Sequence, residues 1–324
     1  MTRTFDVLGI GNAIVDVISH ANDAFLATHG LVKGSMTLID EARAETLYAA
    51  MGPGVEISGG SCGNTVAGVA SFGGRGAYVG KVRNDQLGGV FAHDMRAIGV
   101  AFDTTQATDG PATARSLILV TPDAQRTMNT YLGACTRLGP ADIDTAQVAA
   151  SAVTYVEGYL WDPPEAKKAV LKAFDAAHAA QRKVSITLSD AFCVDRYREE
   201  FHALIRDKVD ILFANEAEIK SLYQAPTFEK AVAAVRKDAR IAALTRSEKG
   251  SLIVAGGETH EVPAASVTRV VDTTGAGDLY AAGFLFGLTH GKPLAECARL
   301  GGIAAAEIIS HVGARPEASL RELV

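Results

Sequence analysis

The chain reads as an α/β fold in which a mostly parallel central sheet lies between layers of helices and a small separate β-sheet serves as a lid. Three observations predict it. From about residue 140 onward, short apolar strand patterns alternate with longer helical ones, as in a parallel sheet covered by helices. Two stretches, about 13–40 and 112–132, carry β-patterned residues with few helix signals. A length of 324 residues, 48% hydrophobic and 21% charged, suits one large core with a small appendage.

Taken in chain order, Phe5 to Leu8 reads as a strand, followed by the first lid segment. Asn64 to Phe72 and Leu87 to Ile98 read as helices around the strand Ala77 to Val82, which belongs with the core. After the second lid segment, Val153 to Glu157 is a strand and Pro163 to Arg182 a helix with Pro near its first turn, where a missing N–H costs nothing. Val184 to Leu188, Asp210 to Ala214 and Ile241 to Thr245 are further strands, joined by helical segments long enough for right-handed crossovers. Val267 to Val271 looks strand-like, and Gly275 to Leu288 and Leu294 to Ser310 close the chain as apolar helices. No internal repeat, low-complexity tract or polar linker divides residues 1–324, so a single domain is expected.

The formal charge is −6 and no Lys/Arg-rich run is present, which argues against nucleic-acid binding. Cys62, Cys135, Cys193 and Cys297 are far apart and form neither a zinc pattern nor a disulfide framework, so reduced thiols in the cytoplasm are expected. The N-terminus lacks the features of a signal peptide, and no apolar run approaches the length of about 20 residues that spans a bilayer.

The strongest local signal is Asp272-Thr273-Thr274-Gly275-Ala276-Gly277-Asp278. Its glycines let the backbone approach a ligand, and the N–H groups of Gly275, Ala276 and Gly277 at a helix start form an anion hole for a transferring phosphoryl group. Asp278, in the first turn, reaches an acceptor hydroxyl as the base. A carboxylate at a helix N-terminus is expected to stay ionised and be a weak base, which a loose transition state tolerates. A Gly-x-Gly-Asp alone is equally a glycine-rich turn whose Asp complements the dipole; the seven-residue run is more specific.

That run resembles the C-terminal signature of the PfkB or ribokinase-like carbohydrate kinases. Gly9-Ile10-Gly11-Asn12 with Asp16, and Gly59-Gly60-Ser61 with Asn64, resemble the elements with which these kinases hold the acceptor. Asn215-Glu216-Ala217-Glu218 resembles their Asn-x-x-Glu motif, although Asn215 with Glu218 three residues on is also a helix capping box. The resemblance implies a ribokinase-like three-layer α/β/α sandwich and an ATP-dependent kinase. By it, Asn215, Thr245, Gly250, Gly275, Gly277 and Gly313 line the ATP site. Asn215 and Glu218 hold Mg2+ through water, and a monovalent cation such as K+ sits near Asp272. Where the family usually carries glycine, this chain has Ser247.

The wording of the N-terminal half resembles the adenosine kinase branch, so the expected acceptor is the 5′-hydroxyl of a nucleoside, with Arg126 pairing with phosphate oxygens. Phe25, Leu38, Tyr131, Tyr159 and Trp161 are available to wall in a purine. A kinase for ribose, fructose or a related sugar is the alternative. A sugar phosphate is disfavoured, because residues 16–40 offer only Lys33 as a cation. An inactive nucleoside- or sugar-binding regulator would lack the base or the glycines, and all are present. The expected partners are small molecules, as a monomer or a homodimer.

Overall fold

The computed structural model describes residues 4–123 and 125–324. Its strands are β1 (Phe5–Ile10), β2 (Ile14–His20), β3 (Met36–Leu38), β4 (Gly54–Ser58), β5 (Gly76–Val79), β6 (Ala114–Val120) and β7 (Arg126–Tyr131) in the first half. The second half adds β8 (Ser151–Glu157), β9 (Lys183–Thr187), β10 (Ile211–Asn215), β11 (Ile241–Thr245), β12 (Ser251–Ala255) and β13 (Glu258–Val262). The helices are α1 (Asp23–Thr28), α2 (Glu41–Ala50), α3 (Ser61–Ser71), α4 (Gln86–Ala97), α5 (Thr145–Ala149) and α6 (Pro164–Ala179). They continue with α7 (Ala191–Asp207), α8 (Glu216–Leu222), α9 (Phe228–Asp238), α10 (Ala276–Thr289) and α11 (Leu294–Ile308).

Eight strands form the large sheet in the order β13-β12-β11-β10-β9-β8-β1-β5. All neighbours from β11 to β5 are parallel, and β12 and β13 add an antiparallel edge. Side chains alternate between its faces with the period of two that a strand imposes. Leu8, Val156, Ile186, Leu212 and Leu244 pack with Phe174, Phe201 and Ile219 of α6, α7 and α8. Val7, Tyr155, Phe213 and Ala243 pack on the other side with Val66, Phe91, Phe284 and Leu300 of α3, α4, α10 and α11. These are the three layers expected from the sequence. Helix α10 can lie tight on α11 because a Cβ at Gly283 would meet the backbone of Leu300 at 2.5 Å.

The second sheet has the order β3-β7-β6-β2-β4. It takes in β4, which lies outside the segments anticipated for it, and the stretch 13–40 contains α1, capped by the Asn22 side chain on the Phe25 N–H. The strand expected at Val267 to Val271 is absent. That segment runs along the end of α11, where the Val271 N–H donates to Ile309 O at 2.8 Å, while β13 already closes the sheet edge. No helix of the described residues is long and apolar enough to cross a membrane.

Candidate active site

The carboxyl ends of β1 and β8, the start of β2, the β4–α3 turn and the start of α10 bring polar side chains to one cleft. Asn12 follows β1, and its N–H (2.9 Å) and Nδ2 (2.7 Å) both donate to Glu157 Oε1 at the end of β8. Glu157 Oε2 accepts the Cys62 N–H at 2.9 Å, so one buried carboxylate ties the Asn12 turn to the first turn of α3. Burial raises the Glu157 carboxyl to about 7, against the pull of these donors.

The glycines between β4 and α3 are there because nothing larger fits. A Cβ on Gly59 would meet the Asp16 carboxylate at 2.5 Å, and Gly60, with φ +81°, lies against Asn12 O. This close turn delivers Ser61 and Asn64 to Asp278: Ser61 Oγ donates to Oδ1 (2.6 Å) and Asn64 Nδ2 to Oδ2 (3.0 Å). Asp278 does not behave as expected of a helix N-terminal carboxylate. Burial pushes it up, outweighing both hydrogen bonds and the Arg315 charge, which makes it a better base than an exposed aspartate. Asp16 rises to about 6, again chiefly through burial, with Arg126 and Arg315 opposing and Asp278 adding to it.

At the start of α10, Gly275 takes the left-handed conformation (φ +79°), and a Cβ there would crowd Ala314 at 3.0 Å. The amide of Ala276 departs from its expected place in the anion hole: the turn at Gly275 folds it back onto Thr273 O at 3.3 Å. Among the described residues the N–H groups of Gly275 and Gly277 have no acceptor, and Gly277 is exposed. Asp272 accepts from the amides of Thr274 (3.0 Å) and Gly313 (3.1 Å) and pairs with Arg126 from β7. Burial works against its ionisation, but those amides and Arg126 prevail, and its carboxyl sits below the usual range. Arg126 is thus held on Asp272 and joins the small sheet to the α10 loop; among the described residues its Nε and Nη2 have no partner.

Asn215 and Glu218 form a complete capping box. Asn215 Oδ1 accepts the Glu218 N–H at 2.9 Å, and the Glu218 oxygens accept from Asn215 N (2.9 Å) and Nδ2 (2.6 Å). Thr245 pairs in register with Asn215 at the carboxyl end of β11. Gly250 (φ +78°) closes the turn into β12, where a Cβ would run into Ala264 N at 2.6 Å. Ser247, at the position that is usually glycine in the family, has φ +52°.

Residues 32–320 match the pfkB family carbohydrate kinase model. The chain belongs to the pfkB family of carbohydrate kinases. It resembles a probable sugar kinase from Rhizobium etli, with 55% identity and TM-score 0.92 over 100% of this chain and 98% of that one. An adenosine kinase from Sinorhizobium meliloti is 56% identical, with TM-score 0.91 over 98% of each chain. A protein named an uncharacterized sugar kinase, from Archaeoglobus fulgidus, is 27% identical over 76% of this chain and 96% of its own length.

As a pfkB kinase the chain is an ATP-dependent phosphotransferase. Sequence reasoning missed two residues that brace this kinase's cleft. Glu157 left a signal, since it ends the apolar strand Val153 to Glu157 with a charge. Arg315, directly after Val312-Gly313-Ala314, left none. Trp161, offered as a wall for a purine, is instead in the core, with its Nε1 donating to Glu200.

Proposed function

We propose that the chain phosphorylates the 5′-hydroxyl of a nucleoside, adenosine first among them, using ATP. The observation that carries this reading is an exposed apolar edge strand in register with Asp16 across the small sheet. Strand register aligns Leu38, Thr130, Ser116, Asp16 and Ile57 in one row, and cross-strand partners share a face. Leu38 (60% exposed) and Met36 (53%) lie on that face at the far edge, three strand spacings, or about 14 Å, from Asp16. A free pentose held at Asp16 is too short to cover them, whereas a nucleoside carries an apolar base outward in that direction. Phe192, 77% exposed at the start of α7, offers a further aromatic face. The 56% identity to the Sinorhizobium meliloti adenosine kinase supports the same acceptor.

In this reading Asn12 and Asp16 hold the ribose hydroxyls, and Asn64 and Ser61 aim Asp278 at the 5′-hydroxyl. Asp278 takes the proton as the hydroxyl oxygen bonds to the γ-phosphorus and the bond to the β-phosphate oxygen breaks, releasing ADP. The free amides of Gly275 and Gly277, with the positive end of α10, face the charge on the moving phosphoryl group. Mg2+ fits beside Glu218. Burial, with the Asp190 and Asp278 charges adding to it and the Asn215 amide opposing, raises this carboxyl to about 7, a negative field that suits a hard divalent cation held through water. When bound, the ion supplies charge neutralisation on the ATP phosphates. Asp272, already matched by Arg126, offers no uncompensated charge to a monovalent cation.

A coupled ADP-release assay across adenosine, guanosine, inosine, ribose, fructose and fructose 6-phosphate tests the proposal. Adenosine is expected to give the highest kcat/KM. The probable sugar kinase at 55% identity supports the competing reading, and a signal with ribose or fructose but none with adenosine would establish it instead.

A further inference from the structure

Arg315 stands behind the cleft and has no part in the roles assigned above. It follows Gly313 and Ala314, and its side chain turns inward between the end of β4 and the first turn of α3. Nε donates to Ser58 O (2.8 Å), Nη2 to Ser58 Oγ (3.1 Å) and Nη1 to Gly63 O (2.7 Å). These acceptors bracket the Gly59–Gly60–Ser61 turn, and the guanidinium lies 3.5 Å from where a Gly63 Cβ would be. The segment pinned at both ends is therefore the one that presents Ser61 and Asn64 to Asp278.

The acceptors of Arg315 are all neutral, three oxygens and, weakly, Met95 Sδ, and among the described residues no carboxylate is in ion-pair contact with it. Its charge is not cancelled where it sits. The carboxylates that feel it are Asp16 from β2, Asp94 from α4 and Asp278 from α10. Burial lowers the guanidinium to about 10, so it stays protonated at neutral pH. Facing Asp278 from the surrounding elements are Asp16 of β2, Ser61, Cys62 and Asn64 of α3, Tyr155 and Glu157 of β8, Tyr159, and Glu218 of α8. Every charged member of that set is acidic. Arg315 is the single cation acting on Asp278 among the described residues.

We propose that Arg315 is a positioning residue for phosphoryl transfer, clamping the turn that carries Ser61 and Asn64 and supplying the positive charge that faces the catalytic carboxylate from behind. This rests on the reading of Asp278 as the base. Without the clamp, the two donors drift from the carboxylate; without the charge, the acid holds its proton into the working pH range.

The test uses Arg315→Gln and Arg315→Lys in the full chain. In protein labelled with 13C at aspartate carboxyls, the Asp278 resonance is assigned by its loss in Asp278→Asn and titrated without ligand. Arg315→Gln is expected to move its midpoint up by at least about one pH unit, and Arg315→Lys, which keeps the charge, to leave it within a few tenths. The acid limb of kcat/KM should follow, with about a tenfold loss on that limb for Arg315→Gln. In Arg315→Lys the limb stays in place while kcat falls, because one ammonium cannot span three acceptors. An unmoved midpoint in Arg315→Gln, or equal shifts in both variants, would overturn the proposal. If Arg315→Gln shows no cooperative melt, the lysine variant decides alone: a wild-type midpoint with lowered kcat sustains the proposal, and an upward shift overturns it. The titration needs no turnover, so a chain inactive on every acceptor refutes the kinase reading, while the midpoints still decide whether Arg315 sets the charge state of Asp278.

Discussion

Glu157→Gln sets two opposing effects against each other at one buried side chain. The carboxylate accepts two N–H groups of Asn12 on Oε1 and the Cys62 amide on Oε2. A glutamine keeps the Oε1 pair, but its NH2 then confronts the Cys62 N–H, leaving a buried donor without an acceptor at the start of α3. That costs about 1–3 kcal/mol. On the other side, burial raises the wild-type carboxyl from 4.5 to about 7. At about 1.4 kcal/mol per tenfold change in proton affinity, ionising it in the fold costs on the order of 3 kcal/mol relative to the unfolded chain. The folded value lies above the unfolded one, so this contribution is fully present below 4.5 and is lost as pH rises through about 7. Glutamine does not titrate. The variant is therefore expected to be less stable than the wild type by about 1–3 kcal/mol near pH 5, with the gap closing or reversing near pH 8.5. Urea unfolding of both proteins at the two pH values measures this. A gap of the same size at both would mean that Glu157 does not titrate in this window, and the claim that burial outweighs its three donors would fail.

Two further substitutions probe the site and its frame. Asp278→Asn should leave the melting temperature within a few degrees while lowering ADP release by at least about a hundredfold; turnover near the wild-type rate would remove Asp278 from the proton transfer. Ser247→Gly relieves a left-handed serine (φ +52°). The Cβ penalty of about 1–2 kcal/mol exceeds the added chain entropy of glycine, about 0.5–1 kcal/mol, so stability should hold or rise by up to about 1 kcal/mol. A lowered melting temperature would show that the serine side chain contributes more than its backbone strain costs.

What the sequence made legible follows from how local each signal is. The parallel core was readable because β8 to β11 are buried on both faces and alternate with amphipathic helices, a pattern complete within each segment. The Asn215 capping box was readable because it closes over three residues. The strand expected at Val267 to Val271 failed because β-branched composition reports a fit to a pleated surface, not the presence of a partner, and the edge had been taken by β13. The small sheet was only half visible: β4 is exposed along much of its length and gains its partner, β2, from about 40 residues earlier, as when Asp16 pairs with Ile57.

The site shows the same division, with one consequence for its chemistry. Residue types and spacing pointed to Asp278 as a base, and the family resemblance assigned Ser61 and Asn64 to the acceptor, but a carboxylate's strength as a base is a property of everything around it. The helix terminus alone argues for an ionised, weakly basic Asp278. Burial beside Asp16 and Glu157, three acids drawn from positions 16, 157 and 278, argues the reverse, and it prevails. Crowding three acids is tolerable only because each is hydrogen-bonded or faces a guanidinium that reaches it from elsewhere in the chain, Arg126 from β7 and Arg315 from the C-terminal segment. The basicity of Asp278 is thus set by contacts spanning more than 200 residues of sequence, which no window of local pattern contains.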